Sequence, residues 1–258
     1  MSNAAVLHVR KSRLEGRVSL AGAKNSALRL LAASILTRDT LELRNYPAGL
    51  LDTQVHVDML RALGKSAELL GTDSIRITES ESLASQLKWE GRSIRNTLLI
   101  LGALTARLGA GSVPLPGGCK LGERKYDLHV MLLERLGARV WEDDAYLYAE
   151  APNGLVGADI HLPMRSTGAT ENAILAGTLA KGTTRVWNPH IRPEILDLIA
   201  MLNSMGACIT VFGQEHIEIQ GVDALHGTEH RVIADNMEAI TWLSAAVITG
   251  GDIEIADF

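Results

Sequence analysis

Apolar residues recur at helical spacing in three matched stretches: VHVDMLRALG from Val55 to Gly64, LHVMLLERLG from Leu128 to Gly137, and LDLIAMLNSMG from Leu196 to Gly206. Each predicts an amphipathic helix closed by a glycine in the left-handed C′ position. Two short apolar runs follow each one: SAELL and SIRIT, ARVWE and AYLYA, ACITV and HIEIQ. These predict two-stranded hairpins with polar turns. Within the last hairpin, Cys208 is expected to be a small core residue.

A second set of helices links the first and is more apolar: KNSALRLLAASILTRDTLELRNY, RNTLLILGALTARLGAGSVPLP, TENAILAGTLAKGTTRVWN and MEAITWLSAAVITGGDIEIADF. Each runs from a polar start through an Ala/Leu/Ile-rich helix into a strand, with Thr40, Ser112, Thr184 and Asp252 in equivalent places. A helix carrying Leu28, Leu30, Leu31, Ile35 and Leu36 must be buried around most of its circumference, which places this set between sheets at the centre of a domain. The repeating unit is therefore helix, strand, helix, strand, strand, and the fold class is α/β. Three units are complete. A fourth delivers its first helix and strand before Phe258, so the chain is expected to stop before its last domain is complete.

Composition narrows the function classes. With 47% hydrophobic and 21% charged residues over 258 positions, the chain buries a substantial core and is not disordered. A net charge of −5 disfavours a general nucleic-acid binder. No stretch approaches the length of a membrane span, and the start MSNAAVLHVRK lacks the apolar region of a signal peptide. Two cysteines are too few for a disulfide framework, so a reducing, cytoplasmic setting is expected. The eight histidines are scattered and show no metal-ligand spacing.

Three segments can carry chemistry. Gly22-Ala23-Lys24-Asn25-Ser26 opens the first buried helix, where free N–H groups, the dipole and Lys24 suit an anion; a solvated lysine beside a helix cap is the bland alternative. PLPGGCKLGERKYDLH, from Pro114 to His129, is a long Gly/Pro-punctuated loop in which Cys119 stands among Lys120, Arg124, Lys125 and His129. Neighbouring cations lower a thiol's pKa from its ordinary value of about 8.5, making it a better nucleophile or proton donor. PMRSTGATEN opens the third buried helix, as Arg95 in RSIRNT opens the second. Helix capping explains any one of these starts, whereas their recurrence beside a cationic cysteine loop points to a shared phosphate-rich ligand.

These residues resemble the enolpyruvyl transferases. The matching strings are SLAGAKNSAL, IRNTLLILGALTARLG, PGGCKLGERKYDLH, GATENAILAGTLAKGTT, PEILDLIAMLNSMGA and ADNMEAITWLSAAVITGG, which cover nearly the whole chain in order. The resemblance implies an inverse α/β fold of two domains around a cleft. Residues 22–231 would form the domain of three units with the cysteine loop, and residues 1–21 and 232–258 would begin the other. It also implies transfer of the enolpyruvyl group of phosphoenolpyruvate to the 3-hydroxyl of an acceptor, with UDP-N-acetylglucosamine expected, and release of phosphate, a step of peptidoglycan precursor synthesis. No cofactor or metal is implied. Carried over by position, Lys24 and Arg124 would bind phosphoenolpyruvate, Asn25 would orient the reacting centre, and Cys119 would deliver a proton and be the target of the epoxide fosfomycin. Arg95, Asp127, Leu128, Ser166, Thr167 and Gly168 would contact the nucleotide sugar, with His129 behind the loop. The base for the acceptor hydroxyl is expected beyond residue 258. Departures from the family pattern fall on the acceptor side, at Met164, at Lys125 after Arg124, and at Pro189-His190-Ile191-Arg192. They leave open a different nucleotide-containing acceptor; the alternative from another class is a catalytically incomplete protein that only binds nucleotide sugar, or that needs a second chain to complete its cleft.

Overall fold

The computed structural model describes residues 8–79, 81–92, 94–115, 125–256 and 258. After β1 (Glu15–Ser19), the first unit comprises α1 (Lys24–Ala33), β2 (Leu41–Arg44), α2 (Leu51–Ala62), β3 (Lys65–Leu69) and β4 (Ser74–Glu79). The second comprises α3 (Thr97–Leu108), β5 (Ala110–Pro114), α4 (Asp127–Arg135), β6 (Arg139–Glu142) and β7 (Tyr146–Glu150). A short β8 (Asp159–His161) precedes the third: α5 (Thr167–Thr178), β9 (Thr183–Trp187), α6 (Pro193–Ser204), β10 (Cys208–Phe212) and β11 (His216–Gln220). β12 (Thr228–Arg231), α7 (Asn236–Thr249) and β13 (Asp252–Ala256) follow. The repeat predicted from hydrophobic pattern is thus the repeat of the fold. The glycines expected to close α2, α4 and α6 are indeed left-handed, with φ of 102° at Gly64, 91° at Gly137 and 98° at Gly206.

Each unit folds its hairpin antiparallel and adds the strand that follows its buried helix beside the hairpin's second strand, giving the orders β12-β2-β4-β3, β5-β7-β6 and β10-β11-β9-β8. A parallel segment lies on the far side of that added strand in every case: β12 on β2, β8 on β9, and Gln86 bridged to Ser112 of β5. The segment always comes from the connection after another unit. The link after the first unit edges the second sheet, the link after the second edges the third, and β12 returns from the end of the third to close on the first. β1 stands in the same parallel relation to β13. The sequence pattern did not announce these edge segments, because runs such as Asp159–His161 and Thr228–Arg231 are short and polar.

α1, α3 and α5 form the centre. Thr97–Thr105 of α3 and Ala169–Thr178 of α5 are buried without a break. The helices run in one direction. The Asn96 side-chain amide at the start of α3 donates to the Leu28 carbonyl of α1 (2.8 Å), and Arg107 near the end of α3 donates to the Ile35 carbonyl just past α1 (2.9 Å). α3 and α5 meet at Gly102, where a Cβ would stand 1.9 Å from the Asn172 side-chain oxygen. At the C-terminal ends, Lys65 and Arg107 converge on the buried Glu79 carboxylate at 3.0 and 2.6 Å, beside a cavity of about 820 Å³.

Two expectations are corrected. Cys208 is exposed rather than part of the core. β10 alternates, with Ile209 buried and Cys208, Thr210 and Phe212 exposed, because its sheet packs on helices through one face only. α7, matched in sequence to the buried helices, leaves Val247 81% and Ile248 84% exposed. Among the described residues its sheet has only two strands, β1 and β13, too few to enclose a helix.

Candidate active site

Because the three central helices are parallel, their N-termini lie at one end of the molecule, and the residues singled out from sequence gather there. Gly22 is fixed by packing: a Cβ would come within 1.7 Å of the Asn45 carbonyl oxygen. Lys24 is the first residue of α1. Its backbone N–H donates to Asp235 (3.2 Å) and its ammonium pairs with Asp52 (3.1 Å), so it is neither simply solvated nor a helix cap. Asp235 also caps α7 through the N–H groups of Met237 and Glu238, which ties the starts of α1 and α7 together. Asn25 beside it is exposed. The next residue, Ser26, donates to the buried Asp197 of α6, whose other oxygen lies 2.7 Å from His230 Nε2.

Arg95 precedes α3 and donates to the Lys125 carbonyl (2.8 Å), linking this helix start to the end of the cysteine loop. Cys119 and Arg124 lie outside the described residues. Asp127 is exposed in the first turn of α4, where a carboxylate suits the helix dipole, and Leu128 packs against the core. His129 is buried beneath Gly168. It accepts from Asn172, and burial, reinforced by the Arg95 charge, pushes its pKa down to about 4. His56, 73 positions earlier, repeats the arrangement with Asn96 as its donor, and burial lowers it to about 3. Both imidazoles are therefore neutral struts beneath the helix starts, with His129 directly under Gly168.

At the start of α5, Ser166 caps the helix by accepting from the Ala169 N–H (3.3 Å). Thr167 bonds through its hydroxyl to His190 Nδ1 (2.8 Å), and the His190 N–H donates to Thr170 (3.1 Å). Arg165 reaches the Asn188 side-chain oxygen at 3.3 Å, and Asn188 sits at φ 58°, turning the 188–192 segment over the helix end. Below this surface Arg29 of α1 pairs with Glu171 of α5 at 2.7 Å. Burial raises the Glu171 carboxyl despite that partner, and its second oxygen has no hydrogen-bond partner among the described residues.

Sequence reasoning did not find His190, Asp52, Asp235 or Asp197 as members of this end of the molecule. His190 stood out only as a departure from a pattern. The three aspartates carry no local signal: Asp52 acts from α2 on the neighbouring helix of its own unit, and Asp197 and Asp235 act on α1 from beyond that unit. What the arrangement offers chemically is a set of parallel helix N-termini with Lys24, Arg95 and hydroxyl groups at the rim, a setting for a ligand with several negative charges.

Known proteins bear on this site directly. The family model for EPSP synthase (3-phosphoshikimate 1-carboxyvinyltransferase) matches residues 9–258. The UDP-N-acetylglucosamine 1-carboxyvinyltransferase of Ruegeria pomeroyi is 43% identical over 244 residues, and that of Gluconacetobacter diazotrophicus 44% over 252, each alignment covering 94% of this chain. The chain spans 58% of the length of each of these relatives. Among solved structures, the enolpyruvyl transferase NikO from Streptomyces tendae superposes with a TM-score of 0.76 at 25% identity, covering 90% of this chain and 55% of that one. EPSP synthase from Acinetobacter baumannii shares the fold at 21% identity, with a TM-score of 0.71 over 93% of this chain and 55% of its own. Repeat, fold and sequence agree, and the chain belongs to the EPSP synthase family of enolpyruvyl transferases.

Proposed function

We propose that this chain supplies the donor- and acceptor-binding surface of a cytoplasmic carboxyvinyltransferase that moves the enolpyruvyl group of phosphoenolpyruvate to the 3-hydroxyl of UDP-N-acetylglucosamine. The observation that carries this reading is the convergence of the α1, α3 and α5 N-termini, with Lys24, Arg95 and Ser166–Gly168 at one end. Lys24 and Arg124 offset the phosphate and carboxylate charges of phosphoenolpyruvate, which otherwise repel an approaching hydroxyl. Asn25 orients the reacting carbon. Cys119 gives its proton to the methylene carbon as the acceptor hydroxyl loses its own to a general base and its oxygen bonds to the adjacent carbon; loss of phosphate together with a proton from the new methyl group then restores the double bond. The same thiol is the proposed site of fosfomycin alkylation. Arg95, Asp127, Leu128, Ser166, Thr167 and Gly168 hold the nucleotide sugar. Residues 22–231 form one domain in this reading, and residues 1–21 with 232–258 belong to another, which the β1–β13 pairing supports.

A different nucleotide-containing acceptor is the second reading, favoured by Met164, which is 63% exposed beside the α5 start and contributes no charge there. The test is phosphate release by the full-length protein given phosphoenolpyruvate with UDP-N-acetylglucosamine, or with other nucleotide-linked acceptors. Release with the first acceptor is the expected result. Release only with another establishes the second reading, and none with any acceptor ends the transferase reading in favour of a protein that only binds nucleotide sugar.

A further inference from the structure

We infer that His190 is a positioning residue that sets which way the Thr167 hydroxyl points, and so helps decide which acceptor is held at the start of α5. The inference rests on the reading of that helix start as the acceptor site. A threonine hydroxyl has one proton to give and two lone pairs to offer. The Thr170 hydroxyl has already given its proton to the Ser166 carbonyl (2.8 Å) and accepts from the His190 backbone N–H (3.1 Å). Among the described residues the Thr167 hydroxyl has one partner, His190 Nδ1 at 2.8 Å, and the residue is half-buried, which leaves hydrogen-bonding capacity for a ligand.

The direction of that one bond decides what is left over. When Nδ1 carries a proton it donates to the Thr167 oxygen, and the hydroxyl proton is free to be given to a ligand oxygen. When Nδ1 is bare, the hydroxyl proton is taken by the imidazole, and only lone pairs face the ligand, which a phosphate oxygen cannot use. An imidazolium always carries a proton on Nδ1, so protonation of His190 fixes Thr167 as an outward donor. The charged groups on the adjoining segments are Arg165 before α5, Glu171 within it, and Arg192 and Glu194 at the start of α6. The 188–192 segment that carries the imidazole is held by its own contacts, Asn188 to Arg165 (3.3 Å) and to the Leu162 carbonyl (2.9 Å), so the ring is presented by a braced turn.

The experiment measures UDP-N-acetylglucosamine binding by calorimetry for the wild-type protein, His190→Ala, His190→Asn, Thr167→Val and the His190→Ala/Thr167→Val pair. One hydrogen bond to a charged oxygen is at stake, so His190→Ala and Thr167→Val should each weaken binding by about tenfold, and the pair no further than either alone. His190→Asn, whose amide can donate to the same hydroxyl, should restore most of the loss. Additive losses, or full affinity in a folded His190→Ala protein, overturn the inference. If His190→Ala does not fold, Thr167→Val and His190→Asn decide: wild-type affinity in a folded Thr167→Val protein overturns it. A wild-type protein that binds no nucleotide sugar overturns the site reading, and the inference with it, whereas wild-type binding with an unaffected His190→Ala overturns the inference alone.

Discussion

The buried imidazoles His56 and His129 make stability depend on pH in a definite direction. Burial lowers both from 6.5, to about 3 and about 4, so the unfolded chain takes up protons that the folded chain refuses. Their contribution is complete above pH 6.5 and is lost as the pH falls toward 4 and then 3. For His129 the loss reaches about 3 kcal/mol at the bottom of that window. Urea unfolding at pH 7.5 and pH 5 should show the decline, and a His56→Asn/His129→Asn protein should show a flatter one. Equal slopes would assign the acid sensitivity to other groups. Cys208 gives a second test at this scale: a thiol on the outer face of β10 should react with iodoacetamide in the folded protein, whereas a core thiol would react only on unfolding. Any labelling of Cys119 by fosfomycin is therefore best read in a Cys208→Ser background.

Between elements, the α3–α5 contact depends on the absence of one methyl group. The Asn172 side chain that a Cβ at Gly102 would strike is fully buried and held by His129, so it cannot step aside. Gly102→Ala should cost about 3 kcal/mol in denaturant unfolding, and Gly102→Ala/Asn172→Ala should recover part of it. At the other end of the helices, Glu79 neutralises the buried Lys65 ammonium and accepts both arms of Arg107. Glu79→Gln leaves two cations facing a neutral amide and should destabilise by about 3 kcal/mol, while a loss below about 0.5 kcal/mol would show the cluster to be solvated. The helices and hairpins of these elements were legible from period and glycine alone. Their edge strands were not, since three or four polar residues become a strand only when a neighbouring strand from another unit accepts them.

At the scale of the molecule, the three units close on themselves because β12 returns to pair with β2. A chain ending before Thr228 loses that strand and the buried Val232, and should melt at lower temperature and over a broader range. Removing residues 8–13, whose side chains are largely exposed, should change stability by less than about 0.5 kcal/mol. An unchanged melt on loss of β12 would show that closure contributes nothing. The candidate site divides in the same way. The helix starts at Lys24, Arg95 and Ser166 were readable because polar residues before an apolar run mark an N-terminus wherever they occur. That all three point to one end and that Asp235 holds Lys24 are relations between units, while Asp52 with Lys24 and His190 with Thr167 join elements of one unit that are distant in sequence; all are set by packing parallel helices in one core. Sequence by itself determined the repeat, the burial of α1, α3 and α5, and the residue types at their starts, because these follow from local periodicity and capping. Only the tertiary structure decided which face of β10 meets solvent, which connection edges which sheet, and which side chains meet across units, because such contacts are chosen by the shape of the whole core rather than by neighbours in the chain.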